Sequence, residues 1–310
     1  LKLPEAGGTV VLMEGTYDIR KVPGALGGIV IERSNITLAG QGASTLLRLA
    51  ANQNTNVIRI LGSGVGNITI RDLMVDANRA ENSAGTGDPN VSHSRFEYCG
   101  IKAFRQDPHG ASAADDCHDI TVRHCWVRNA HRLGIMLEGS NMRVLDNFLG
   151  DAGSDVVEIL TGPGMIRGNT VDILGRTHVA LGTDRADNVI MDANVVRVHQ
   201  AGHLDIAFRT WANSVQHVVS NNVFVLDPGG QCPIIMDLRG TRTSVTGNVV
   251  RAAEGSQIKI SGGYTCLTGN TLEKVQVVVQ ESVEADEPVQ IGLNNLINSS
   301  VEINSRDVGP

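Results

Sequence analysis

Between residues 130 and 240 the chain threads acids, histidines and arginines through short apolar segments, and these are the side chains with which it could do chemistry. Asp151, Glu158 and Asp205 are candidate acid–base carboxylates. His178 is a candidate base, with Asp205 placed to hold its tautomer. Around them His131, Arg132, Arg176, His203, Arg209, Asp237 and Arg239 supply cations and hydrogen-bond donors for a ligand, and Trp211 an aromatic ring. Groups of opposite sign about 5 Å apart shift one another's proton affinities, which separates such a cluster from a merely solvated face. Asp151 and Asp155 share one turn and could hold Ca²⁺, an ion that takes six to eight oxygens. Two acids are few for that, and no other cofactor is expected.

These residues are spread over 131–239, so only a repeating framework can gather them. The sequence contains one: a short apolar strand, a Gly-rich or polar turn, a second strand, then Asn followed by two mostly apolar residues. It reads GIMLEGSNMRVLDNFL, then VVEILTGPGMIRGNTV, then HVALGTDRADNVIMDANVV, with four later copies. The recurring asparagines are Asn147, Asn169, Asn194, Asn222, Asn248, Asn270 and Asn295, at intervals of 22, 25, 28, 26, 22 and 25. Strands of three to five residues broken by Gly, Asn and Asp carry no 3.6-residue stripe, so each repeat is one coil of a β-solenoid. Stacking coils at about 4.8 Å would line the asparagines into an amide ladder and the aliphatics Ile135, Val157, Val179 and Ile206 into a core.

Alternation within the first strand of each coil then assigns the outward face. Aligned on the asparagines, one outward row is Lys102, Met136, Glu158, Ala180 and Ala207. A second holds Val156, His178 and Asp205, and a third Glu138, Leu160 and Arg209. His217 falls in an inward register. The segments NITLAG, NITIRDLMV and DITVRHCWV extend the same grammar towards the N-terminus, interrupted by long loops at 76–98 and 105–118. The expectation is one parallel β-helix over residues 1–310.

Composition agrees. The chain is 41% hydrophobic but only 3% aromatic, which implies an aliphatic, β-branched core, and its 35 glycines imply many tight turns. No apolar run is long enough for a membrane span, so no membrane partner is expected. A formal charge of −7 works against a nucleic-acid partner. Five cysteines without CxxC spacing suggest neither a disulfide framework nor zinc; Cys125 and Cys266 read as small hydrophobes. The chain opens on Leu1 with no signal-peptide pattern, as a trimmed piece of something longer would, and its location is not legible from composition.

GGTVVLMEGTYDI at 7–19, SNITLAGQGASTLLRL at 34–49 and the Asn-terminated coils resemble the pectate-lyase-like right-handed parallel β-helix superfamily. That superfamily includes polysaccharide lyases, glycoside hydrolases, mannuronan epimerases and phage tailspike depolymerases. The resemblance implies a polysaccharide partner and an extracellular or virion-associated setting. Asp107-Pro108-His109 is similar to the DPH of alginate epimerases but sits two residues later, inside a long loop. Asp115-Asp116-Cys117 is similar to the DDC of polygalacturonase-type hydrolases, but only Ala201-Gly202-His203 follows where a GHG belongs.

On that resemblance the candidate residues divide into two mechanisms. A hydrolase needs two carboxylates, about 5–5.5 Å apart for retention or about 6.5–9.5 Å for inversion, and Glu158 with Asp205 or Asp151 with Glu158 would supply them. A lyase or epimerase needs a base and a cation for the uronate carboxylate, and His178 with Arg176 or Arg209 would serve. The alternative class is a non-catalytic receptor-binding or shaft module of a phage tail, which implies a homotrimer. A groove with converging carboxylates favours the enzyme, and a flat apolar strip along the axis favours the module.

Overall fold

A computed structural model of the chain describes residues 6–82, 98–104, 117–280, 282–283 and 286–303. Within them the chain winds into an all-β parallel solenoid of about ten coils, each strand pairing with its equivalent one coil away. A coil has three strands. In one it runs Ile135–Ser140, Met142–Leu145 and Phe148–Leu149; in the next, Asp155–Leu160, Gly164–Arg167 and Thr170–Ile173. Inward residues of successive coils stack into one aliphatic cluster, with Val144 on Ile166 on Met191 on Val219 along the second strands.

The corner between the second and third strands explains the asparagines. There the chain turns through one left-handed residue, Asp146, Gly168, Ala193, Asn221, Gly247 or Gly269, placed immediately before the ladder position. The turn leaves backbone N–H groups pointing along the axis into a buried corner, where an unpaired donor would be costly. Each asparagine resolves this in the same way. Asn194 Oδ1 accepts both the backbone N–H and the Nδ2 of Asn169, while its own Nδ2 donates to Ile166 O and to Asn222 Oδ1, all at 2.9–3.0 Å. The pattern runs unbroken from Asn147 to Asn270.

Two ends of the ladder differ from the sequence reading. The rung after Asn270 is Asn294, whose Oδ1 accepts Asn270 N at 3.0 Å and whose Nδ2 reaches Leu267 O at 2.8 Å; Asn295 opens the third strand instead. Adjacent asparagines cannot be told apart by spacing, but only Asn294 follows the left-handed Leu293. At the other end Cys125 takes the ladder position, its N–H capped by Asn147 Oδ1 at 2.9 Å.

The alternation also differs at one place. Val179 and Ile206 are buried but stand outside the core cluster, whereas Ala180 and Ala207, expected outside, belong to it. Asp155 pairs with Val179 and Val157 with Leu181, so the outward row through Glu158 continues Gly182, Arg209, Asp237 and Lys259. Leu160 pairs with Asp184 and not with Arg209, and Val156 does not join His178 and Asp205. The strands Arg176–Asp184 and His203–Thr210 are longer than their neighbours, and the paired positions Glu158, Gly182 and Arg209 stand 11, 12 and 13 residues before Asn169, Asn194 and Asn222. A count from the asparagines cannot register that drift.

Of the long loops, 83–97 and 105–116 lie outside the described residues, as do Asp107-Pro108-His109 and Asp115-Asp116. The flanks expected to be loop are ordered. Asp76 ends the strand Met74–Asp76, and Cys117 and His118 begin the strand Cys117–Arg123. Asn82 Oδ1 accepts the N–H groups of Gln53 and Asn54, both at 2.9 Å, which pins residues 76–82 to the preceding coil.

Replacing Asn194 by Leu leaves the buried Asn169 N–H without its acceptor and takes a donor from Ile166 O, while Asn222 Oδ1 still accepts the N–H of residue 194. At roughly 1–3 kcal/mol for an unsatisfied buried group, denaturant unfolding should show a loss of about that size. An unchanged midpoint would rule out the ladder as a source of stability.

Candidate active site

The outward face of the first strands carries two groups of functional side chains, each built by coil stacking. The first is exposed. His178 and Asp205 sit opposite each other on consecutive coils, next to the paired residues Arg176 and His203. His178 Nδ1 lies 2.9 Å from Asp205 Oδ2, and His203 Nε2 lies 2.7 Å from Asp205 Oδ1. Gln231, one coil further on, takes His203 Nδ1 at 2.9 Å. A carboxylate only accepts, so His178 turns its Nδ1–H to Asp205 and presents Nε2 outward with a lone pair. Burial alone would raise the Asp205 pKa, but the hydrogen bonds and charges of His178 and His203 outweigh it and hold the carboxyl below its ordinary range. The side chains of His178 and His203 are 47% and 33% exposed, so a ligand can reach them. Arg176 is exposed and makes no ion pair among the described residues.

The second group is buried. Arg209 Nη2 donates to Asp155 Oδ2 at 2.5 Å and to Glu158 Oε1 at 2.9 Å. Arg209 is two coils from Glu158, with Gly182 between them in the row. A side chain at 182 would occupy the passage: a Cβ there would lie 3.3 Å from Val179 Cγ1 and 3.6 Å from the Arg209 guanidinium. Glycine is what lets Arg209 reach back. Arg209 and Arg239 both lie over the Trp211 ring, 4.8 and 4.6 Å from its centre, and Asp237 holds Arg239 at 2.7 Å. Desolvation, then the negative charge of Asp155, push the Glu158 pKa up to about 8 against the opposing pull of Arg209. Burial thus favours the protonated form of Glu158 at neutral pH, and a single Arg209 nitrogen bonds one oxygen of Asp155 and one of Glu158.

The other candidates are placed elsewhere. Asp151 Oδ1 and Oδ2 accept the backbone N–H groups of Leu174 and Gly175, both at 3.0 Å, so it ties one turn to the next. It shares no contact with Glu158 or Asp155 among the described residues, and no three His, Cys, Asp or Glu side chains there converge as a metal site. Asp155, with its partner Arg209, belongs to the buried group. His131 bonds to Asn82 O and meets the Tyr98 ring edge-on, and Arg132 contributes its charge near Glu158. His199 is held between Asp172 at 2.9 Å and Asp227 at 3.6 Å. His217 is inside, with Nε2 2.9 Å from Ser214 Oγ, and burial pushes its pKa down to about 4. Sequence reasoning missed Asp155 as an acid of the site and Gln231 as a partner of His203. Only the coil register could have found them.

The third-strand face is different. Trp126, Phe148, Thr170, Val195, Val223 and Val249 form one row of apolar or neutral outward residues across six coils, with Phe148, Val195 and Val249 exposed.

No protein-family model matches the sequence, and no curated protein matches it significantly. Solved structures do match its shape. DFA-IIIase from Arthrobacter chlorophenolicus superposes with a TM-score of 0.60 at 15% identity, over 98% of this chain and 76% of that one. The A-module of a mannuronan C-5 epimerase from Azotobacter vinelandii gives 0.51 at 15% identity, over 98% and 90%. A protein of Geobacillus virus E2 gives 0.40 at 13% identity, over 98% and 55%. The chain is a right-handed parallel β-helix. At these identities the likeness is one of fold, and the chemistry of the β-helix has to come from its own residues.

A glutamate whose pKa is higher folded than unfolded binds a proton on folding. Its contribution to stability is full below its ordinary pKa of 4.5 and is lost as pH rises through about 8. The melting temperature of the β-helix should therefore fall between pH 5 and 8, and Glu158→Gln should flatten that slope. Identical slopes in the two proteins would show that Glu158 is ionised throughout.

Proposed function

We propose that this β-helix binds an acidic polysaccharide across its first-strand face and cleaves it by elimination, with His178 as the base. The observation that carries this reading is the exposed His178–Asp205–His203 array with the unpaired Arg176 beside it. Arg176 would neutralise a uronate carboxylate and so acidify the adjacent C–H. His178 Nε2 would take that proton while Asp205 fixes the ring and stabilises the imidazolium that forms; the C–H electron pair becomes the C=C bond of the unsaturated uronide as the neighbouring glycosidic C–O bond breaks, and the leaving oxygen takes a proton from solvent. His203 and Gln231 hold Asp205 from the other side. The net charge of −7 does not prevent this, because ions screen beyond about 8–10 Å and the local cations act within that range. The fold likeness to DFA-IIIase and to a mannuronan C-5 epimerase supports the carbohydrate class.

A hydrolytic reading has its own observation, the proton-carrying Glu158 beside Asp155. It places the acid in a buried cluster, where a substrate would have to displace Arg209. The apolar third-strand row supports a third reading, an assembly face of a homotrimeric tail module, which sedimentation in solution would reveal.

The test is a screen of pectic, alginate and capsular polymers read both by reducing ends and by the ultraviolet absorbance of an unsaturated uronide, which elimination alone produces. On the polymer identified, His178→Ala and Asp205→Asn should each lower turnover at least about a hundredfold, with stability within about 1 kcal/mol of the parent. Arg143→Ala, exposed on a second strand, should be silent. New reducing ends without absorbance, lost in Glu158→Gln but kept in His178→Ala, would replace elimination with hydrolysis.

A further inference from the structure

A cavity of about 500 Å³ lies on a different part of the surface, at the corner between the second and third strands of the N-terminal coils. Its floor is Ala39 and Gly40, its rim Gln41, Arg71, Asp72 and His124, and Trp126 lines its C-terminal end. Gly40 is required by close packing of the coils: a Cβ there would lie 2.5 Å from Asp72 O and 2.8 Å from the Cβ atoms of Leu73 and Thr45. Trp126 stacks on Phe148 of the following coil, ring centres 5.2 Å apart and planes 10° from parallel. Phe148 thus covers the indole face towards the C-terminus. Met74 pairs with Trp126 on the preceding coil, and the indole meets the cavity with the part of its surface that lines it beside Asp72 and His124.

We infer that this cavity is a second carbohydrate site, separate from the first-strand array, that takes one or two neutral pyranose units. The C–H face of a pyranose packs on the part of the indole that lines the cavity, and the rim supplies both kinds of hydrogen-bonding partner for its hydroxyls. Asp72 accepts and Arg71 donates; these two bond to each other, so the rim has no net cation to select a uronate. His124 lies 3.4 Å from Asp72, and the Gln41 side-chain amide has no partner among the described residues. Asp72 is engaged by both Arg71 and His124, and the role inferred for the site is to hold a chain, not to cut it. A polymer held here and on the first-strand face at once would gain avidity from the link between its own units.

Calorimetric titration of the whole chain with cellobiose and with lactose, up to about 10 mM, the range of weak single-site binding, tests this. Saturable binding of at least one is expected. Trp126→Ala and Asp72→Asn should each raise its Kd at least about tenfold, with melting curves confirming that both variants fold, while His178→Ala leaves it unchanged. A fluorescence titration of Trp211→Phe, in which Trp126 is the sole tryptophan, should report the same Kd. Absence of binding by both sugars, an unchanged Kd in Trp126→Ala, loss of binding in His178→Ala, or tighter binding of digalacturonate that Trp126→Ala weakens and His178→Ala does not, would each overturn the assignment. Since this readout needs no turnover, it stands or falls apart from the elimination reading.

Discussion

Everything in this molecule depends on satisfying the backbone at one buried corner. A parallel coil must turn sharply between its second and third strands, and the turn strands amide groups where water cannot reach them. One asparagine per coil answers with a carbonyl for the coil before and an amine for the coil after, and the same four partners recur from rung to rung. A side chain one methylene longer or shorter could not meet both neighbours at strand spacing. The left-handed residue that precedes each rung is part of the same solution.

A ladder that fixes the axial spacing also fixes what faces what. Residues some 25 positions apart become neighbours on a sheet, and any charge placed outward on one coil lies near its equivalents on the next. The first-strand face shows how such a stack is made tolerable. Arg59, Lys102, Glu158, Arg209 and Asp237 share one outward row, interrupted by Met136 and Gly182. Arg209 uses the gap at Gly182 to serve two carboxylates, one of which keeps its proton. Asp205 solves the same problem at the exposed end of the strand by lying between two imidazoles.

The three faces of the solenoid have consequently diverged. First strands carry charge and titratable groups, second strands carry mostly neutral outward side chains, and third strands carry an apolar row that runs from Leu46 and Met74 through the Trp126–Phe148 stack. Alternation separates these roles from the core, since inward positions stay aliphatic whatever faces out. A ligand that touches more than one face meets different chemistry on each.

The sequence by itself determined the coil, because its signal is local and repeated: asparagine at intervals of 22 to 28 residues, β-branched strands and glycine-rich turns. It also determined the pairing of His178 with Asp205, since both lie at the same place in neighbouring copies. Tertiary structure decided the rest. Whether Asn294 or Asn295 forms the rung depends on which one follows the left-handed residue. Whether Arg209 faces Leu160 or Glu158 depends on how many residues each coil places between its first strand and its asparagine, which is 11 at Glu158, 12 at Gly182 and 13 at Arg209. Asp151 and Glu158 looked alike as acids near strand ends; one is spent on two backbone amides and the other is buried against Asp155. Those outcomes are set by contacts between coils, and no single repeat contains them.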